Sequence, residues 1–256
     1  MDEATLNAYD RDPGSFAEDW ETQPPPSDLY ATVQRFFIPG GVTADIGCGS
    51  GRDAAWLDSH GYPAQGFDAS EGLLREARKR YPHITFEAAT LPELAVITDG
   101  RFANVLCETV IMHLPPNDVT PAVQRLLSIL HSGGVLYLSW RVTEGHDRRD
   151  AHGRLYASFA GSSRLRRSAA TLATTQNNLG KAQALLTERW PVRQALRYSS
   201  SKIRRRSGVD SDTVSISRIL TVHSAGTGSG GSASTDRGRN ARAERCSWSN
   251  WRSVPA

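Results

Sequence analysis

Between an apolar strand and a helix, the chain places glycines at alternate positions, Gly47, Gly49 and Gly51, within Val42-Thr-Ala-Asp-Ile-Gly-Cys-Gly-Ser-Gly-Arg-Asp53. Gly41 to Ile46 is predicted as the strand. Asp53 to Ser59, with Ala54, Ala55, Trp56 and Leu57, is predicted as the helix it feeds. Glycines at such a junction let the backbone turn sharply and bring its N–H groups against a ligand. A dinucleotide fingerprint needs a small third residue three positions after a Gly-x-Gly pair, for close helix packing under a pyrophosphate. Here that position is Arg52, too long for the role, and the third glycine comes one position early.

Strand and helix patterns continue downstream at regular distances. Ala64-Gln-Gly-Phe-Asp-Ala-Ser70 is predicted as a second strand ending in Asp68, followed by a helix from Glu71 to Arg80. Asp68 lies 17 residues beyond Gly51, close to the spacing at which ribose-binding acids occur in such folds. Thr85 to Leu94, Phe102 to Pro116 and the strand Gly133 to Trp140 complete the series. Asp118 to His131, with Val119, Ala122, Val123, Leu126, Leu127 and Leu130 at helical spacing, is expected as a further helix. Alternation with short links calls for a parallel sheet covered on both faces, with ligands outside the carboxyl ends of its strands.

These five stretches, in order over Val42 to Arg141, resemble the motifs of class I methyltransferases dependent on S-adenosylmethionine. The nearest likeness is to small bacterial methyltransferase-domain proteins with an Asp-Ile-Gly-x-Gly-Ser-Gly-Arg-Asp-Ala-Ala-Trp-Leu loop and a Met-His-Leu-Pro element. The resemblance implies an α/β, Rossmann-like doubly wound sheet, mostly parallel and seven-stranded if a C-terminal hairpin forms. It further implies S-adenosylmethionine as cofactor and methyl transfer to a small-molecule acceptor.

Carried onto this sequence, the resemblance brings Asp45 towards the amino-acid end of the cofactor. Gly47, Gly49 and Gly51 give backbone access, and Cys48 fills a small position beside them. Asp68 is assigned to the ribose hydroxyls. Arg52 either pairs with the cofactor carboxylate or forms a surface ion pair with Asp53 or Asp58. Where relatives often hold an acid near the adenine amine, this chain has Ala88-Ala89-Thr90-Leu91. Adenine recognition then falls to backbone groups, to Thr90, or to the apolar walls of Ala69 and Leu91. Glu108 is placed near the methionine moiety or the acceptor. His113 is the candidate catalytic residue, acting as a base on the acceptor side or tying two loops together.

Composition bounds the rest. A chain of 256 residues is long enough for one large domain. It has no apolar run of the roughly 18 residues that span a bilayer, and Met1-Asp-Glu-Ala-Thr is acidic where a signal peptide is basic, so a cytoplasmic location is expected. The three cysteines, Cys48, Cys107 and Cys246, form no Cys-x-x-Cys pair, which argues against a disulfide framework and a structural zinc. Charge is uneven. Residues 1–162 hold 13 Lys and Arg against 22 Asp and Glu, a net −9, and residues 163–256 hold 17 against 5, a net +12. The basic half suits RNA or another polyanion as an alternative partner, although no aromatic and basic recognition motif accompanies it. Oligomeric state is open.

Residues 1–40 are expected as a cap and helix. Tyr9, Phe16, Trp20 and Tyr30 either shape the acceptor pocket or staple the segment to the sheet, and Ala31 to Ile38 suits a helix. Residues 41–223 are expected as the methyltransferase domain. The likeness stops near Gly153 to Phe159, and Val142 to Gly153 is expected as a loop on the acceptor side. Beyond it, Ser168 to Arg189 suits a helix, and Val192 to Tyr198 with Thr213 to His223 suit the sixth and seventh strands. The competing expectation is an Arg/Ser-rich tail without selected structure. Residues 224–256 lack a periodic apolar face and are expected to be disordered.

Overall fold

The computed structural model describes residues 1–142, 146–158 and 214–222. Its centre is β1 (Thr43–Ile46), buried at every position and flanked on both sides by parallel partners. From β1 the chain moves outward through β2 (Ala64–Asp68) to β3 (Thr85–Ala88). It then crosses to the other side of β1 for β4 (Phe102–Cys107) and β5 (Leu130–Val142). A short hairpin, β6 (Arg148–Arg149) with β7 (Leu155–Tyr156), follows, and β8 (Val214–Thr221) closes the edge antiparallel to β5. Strand order is thus β3-β2-β1-β4-β5-β8, parallel except at β8. The order reverses between β1 and β4, which opens a crevice at their carboxyl ends.

Six helices are described: α1 (Glu3–Arg11), α2 (Pro13–Thr22), α3 (Ser27–Phe36), α4 (Arg52–Ser59), α5 (Glu71–Arg80) and α6 (Val119–Ser128). Both sheet faces are covered, as alternation along the strands requires. Ala44, Ile46, Val105, Cys107, Leu136, Leu138 and Trp140 face α6 residues such as Val123 and Leu126 in one core. Leu106, Val135 and Tyr137 turn the other way, onto Val33 of α3, Leu57 of α4 and Leu74 of α5. Among the described residues no helix is long and apolar enough to cross a membrane.

The mostly parallel α/β architecture follows the sequence expectation. Several boundaries move: β1 begins at Thr43 rather than Gly41, and the helix expected over Ala31 to Ile38 is α3, Ser27–Phe36. The helix expected through His131 ends at Ser128, and β5 begins at Leu130 because that buried residue pairs with Phe102. The first forty residues form three helices where one was expected, since Asp2 and Asp12 cap α1 and α2 through the N–H groups of Thr5 and Ser15, and Pro13 opens α2. The seventh strand expected over Thr213 to His223 is β8, while the helix and sixth strand expected over residues 168–198, the basic connection after them and the tail lie outside the described residues.

Asn104 locks the approach to β1. Fully buried on β4, it accepts from Ile38 N–H at 2.8 Å and donates to Ile38 C=O at 3.0 Å and Thr43 Oγ1 at 3.1 Å. Asn104→Ala would take the acceptor from the half-buried Ile38 N–H, while Ile38 C=O keeps Gly41 N–H at 3.1 Å, and denaturant unfolding should show a loss of about 1–2 kcal/mol.

Candidate functional site

One cavity opens at the crevice. Gly47, Gly49, Asp68, Ala69, Leu91, Glu108 and His113, seven of the sequence candidates, line it together with Ile46, Thr109 and Val110. The cap supplies Met1, Tyr9 and Trp20 from the other side. The remaining candidates, Asp45, Cys48, Gly51, Arg52 and Thr90, are not part of this lining.

Glycines are needed where the loop meets its neighbours. Gly47 has φ +77°, and a Cβ there would lie 2.2 Å from Val110 Cγ2. Gly49 has φ +54°, and a Cβ would lie 2.7 Å from Trp20 Cζ3. The loop is thereby sandwiched between the end of β4 and the cap. Gly51 stands at the N-cap of α4, beneath the Phe86 ring.

Asp68 ties three elements at the end of β2. Its Oδ2 accepts from Gly49 N–H at 2.9 Å and its Oδ1 from Ser70 N–H at 2.8 Å, while the residue remains 8% exposed. Burial raises its pKa, opposed by these N–H donors. Asp45, 3% exposed, has an Oδ2 with no hydrogen-bond partner among the described residues. Burial, then the charges of Asp53, Asp68 and Glu108, push its pKa well up. Glu108 at the end of β4 accepts from Ser139 Oγ, and burial raises its pKa too. Thr109 beside it holds φ +55°, a strained value for a β-branched residue, secured by its N–H donating to Ser139 Oγ at 3.0 Å.

His113 caps the cavity from a 3-10 turn, Ile111–His113. Its Nδ1 lies 2.5 Å from Leu155 C=O, which can only accept, so Nδ1 carries the proton. Nε2 then offers its lone pair to the Tyr9 hydroxyl at 3.4 Å, which also accepts from Arg154 at 3.2 Å. Arg154 lies over the Tyr9 and Phe16 rings, 5.3 and 5.1 Å from their centroids, and pairs with Asp150 at 2.6 Å. Burial lowers the His113 pKa to about 4 and raises that of Tyr9 to about 12, so both are neutral near pH 7. His113 therefore joins the 3-10 turn to β7, the tying role of the two expected for it, while also facing the cavity.

Arg52 takes the ion pair anticipated as one of its two roles, with Nε 3.3 Å from Asp53 Oδ1, and also donates to Trp20 C=O at 2.9 Å. Thr90 is exposed, and its C=O accepts from Leu94 N–H at 2.8 Å. Cys48 and Cys107 are buried thiols whose pKa values burial pushes up, as packing residues require. Tyr9 and Trp20 had only their aromaticity to mark them, whereas Arg154 and Thr109 carried no signal. The loop expected over the acceptor side is the β6–β7 hairpin, signalled by the turn residues Asp150 to Gly153.

Against known proteins, a methyltransferase-domain family model matches residues 44–134. Trans-aconitate 2-methyltransferase of Afipia carboxidovorans is 36% identical over 123 residues, 46% of this chain and 44% of that protein. Ubiquinone biosynthesis O-methyltransferase of Xanthomonas campestris pv. campestris is 25% identical over 132 residues, 47% of this chain and 54% of that protein. The chain spans about half the length of these curated relatives. In fold it is similar to Burkholderia thailandensis 1,6-didemethyltoxoflavin-N1-methyltransferase, with TM-score 0.54 and 17% identity over 86% of this chain and 88% of that one. Over residues 44–134 the chain is thus similar to a methyltransferase domain, in line with the resemblance of its motifs.

The buried neutral His113 has a consequence for stability. A histidine with its folded pKa held below the unfolded value of about 6.5 contributes stability above that pH, lost as pH falls towards about 4. The loss is on the order of 3 kcal/mol. Denaturant midpoints between pH 7 and 4 should therefore fall less steeply for His113→Gln than for the unaltered protein.

Proposed function

We propose that this protein transfers the methyl group of S-adenosylmethionine to a small-molecule acceptor. The carrying observation is the acid-lined crevice beside the glycine loop. Asp68 and Glu108 line it, Asp45 is buried in β1 with an Oδ2 that has no partner among the described residues, and no Lys or Arg is among the lining residues. Such a set of acceptors suits a ribose diol, an ammonium and a sulfonium, and repels a pyrophosphate. The cofactor would supply an already activated methyl group.

In this reading Asp68 takes the ribose hydroxyls, and Ala69, Ala89 and Leu91 provide apolar walls for adenine. Asp45, Glu108 and the loop from Gly47 to Arg52 serve the amino-acid end, with Cys48 packing beneath and Thr90 contributing backbone. The β4 end and the cap surround the acceptor side. Displacement at an activated methyl needs alignment and dryness more than acid–base catalysis. Tyr9 and Trp20 exclude water. His113 holds the Tyr9 hydroxyl through Nε2, so in this reading it positions the acceptor side.

Trans-aconitate and intermediates of ubiquinone biosynthesis are the first acceptors to try, given the names of the relatives. Calorimetry should show S-adenosylhomocysteine binding. Asp68→Ala should weaken it about tenfold or more, because hydrogen bonds to a charged carboxylate contribute about 1.5–3 kcal/mol each. Unchanged affinity in a folded variant would remove Asp68 from the site. NAD binding in place of S-adenosylhomocysteine would overturn the reading altogether.

A further inference from the structure

The cap meets the ribose end of the site through one carboxylate. Asp10, near the end of α1, accepts on Oδ1 from Ser70 Oγ at 2.6 Å and from Gly72 N–H at 3.0 Å. Ser70 is the N-cap of α5, and its Oγ accepts in turn from Leu73 N–H at 3.1 Å. Its backbone N–H is the donor that holds Asp68 Oδ1. Space is kept for the cap's acid. A Cβ on Gly72 would lie 2.9 Å from Asp10 Oδ1 and 3.1 Å from Pro13 Cγ. Both α1 and α2 pack on α5, so this contact lies within the seat of the cap.

We propose that Asp10 is a positioning residue for the cofactor site: it fixes Ser70, and Ser70 fixes Asp68, so cap docking and cofactor binding strengthen each other. The first N–H groups of a helix have no partner within it. Here Asp10 and Ser70 share those of α5 between them, so losing Asp10 frees the turn from which Asp68 is aimed. Linkage is reciprocal, and what the docked cap does for the cofactor, the cofactor does for the cap. The proposal rests on the cofactor reading only in taking Asp68 as the ribose acid.

The test uses the full chain and S-adenosylhomocysteine as probe. Asp10→Ala should weaken binding about three- to tenfold, as expected for neutral and backbone donors losing one acceptor. Asp10→Asn, whose carbonyl accepts from the same two donors, should bind nearly as the unaltered chain does. Gly72→Ala should reproduce the loss by displacing Asp10 without removing it. In an Asp68→Ala background Asp10→Ala should add less than about a twofold loss, since coupled residues are not additive. Hydrogen exchange over residues 3–22 should slow on adding the probe, and slow less in Asp10→Ala. Unaltered affinity in folded Asp10→Ala, or full losses that multiply with those of Asp68→Ala, overturns the proposal while leaving Asp68 in place. Absence of binding by the unaltered chain overturns the cofactor reading and this proposal with it.

Discussion

A buried carboxylate with no cationic partner among the described residues organises this molecule. Asp68 ends a strand whose neighbours on both sides are parallel, so its side chain is presented at the crevice where the strand order reverses. It is held by N–H groups of Gly49 and Ser70, which belong to the first loop and the second strand-to-helix turn. Two segments distant in sequence are thus set at one spacing by one residue. Charge burial is costly, and N–H dipoles rather than a basic side chain offset it here. The oxygens left towards the cavity can exchange partners with a ligand without an ion pair having to break.

The cap is attached by polar contacts at its periphery and aromatic contacts over the site. Asp2 meets Arg149 through two bonds of 2.8 Å, and Asp2 N–H donates to His113 C=O at 3.0 Å. Tyr9, Phe16 and Trp20 form a tilted ring cluster between these anchors. The hairpin joins the same layer, because Leu155 receives Nδ1–H of His113 and donates its own N–H to Thr5 Oγ1 at 2.8 Å. Surface ion pairs of this kind contribute little each and exchange readily with water.

What the sequence disclosed follows from how local the determining physics is. The Gly47 to Gly51 spacing and the acid at Asp68 reflect backbone requirements of a single turn or strand end, and both were legible. Alternation of strand-like and helix-like stretches with short links made the parallel sheet legible. The start of β5 was misplaced because Leu130 is both in phase with α6 and buried against Phe102, and only the tertiary partner decides between them. The two cap helices were signalled by Asp2, Asp12 and Pro13, yet their polar, short repeats carry weak periodicity. Asp10 and Arg154 were illegible for a stronger reason. Their partners lie 60 residues away for Ser70 and 145 for Tyr9, and no local rule reports a contact at that range.

Acids around the site favour a cationic cofactor, and this has a cost for catalysis. Methyl transfer removes the sulfonium charge, so full carboxylate charge nearby stabilises the reactant more than the transition state. Hydrogen bonding moderates the conflict, because Glu108 accepts from Ser139 and Asp68 from Gly49 and Ser70, and these donors disperse part of the negative charge. Acceleration must then come from alignment and from water exclusion, which a rigid glycine loop under Trp20 and a Tyr9 hydroxyl fixed by His113 and Arg154 are built to provide. Under the proposed function the cap serves alignment and water exclusion, and the loop and its acids serve the choice of cofactor.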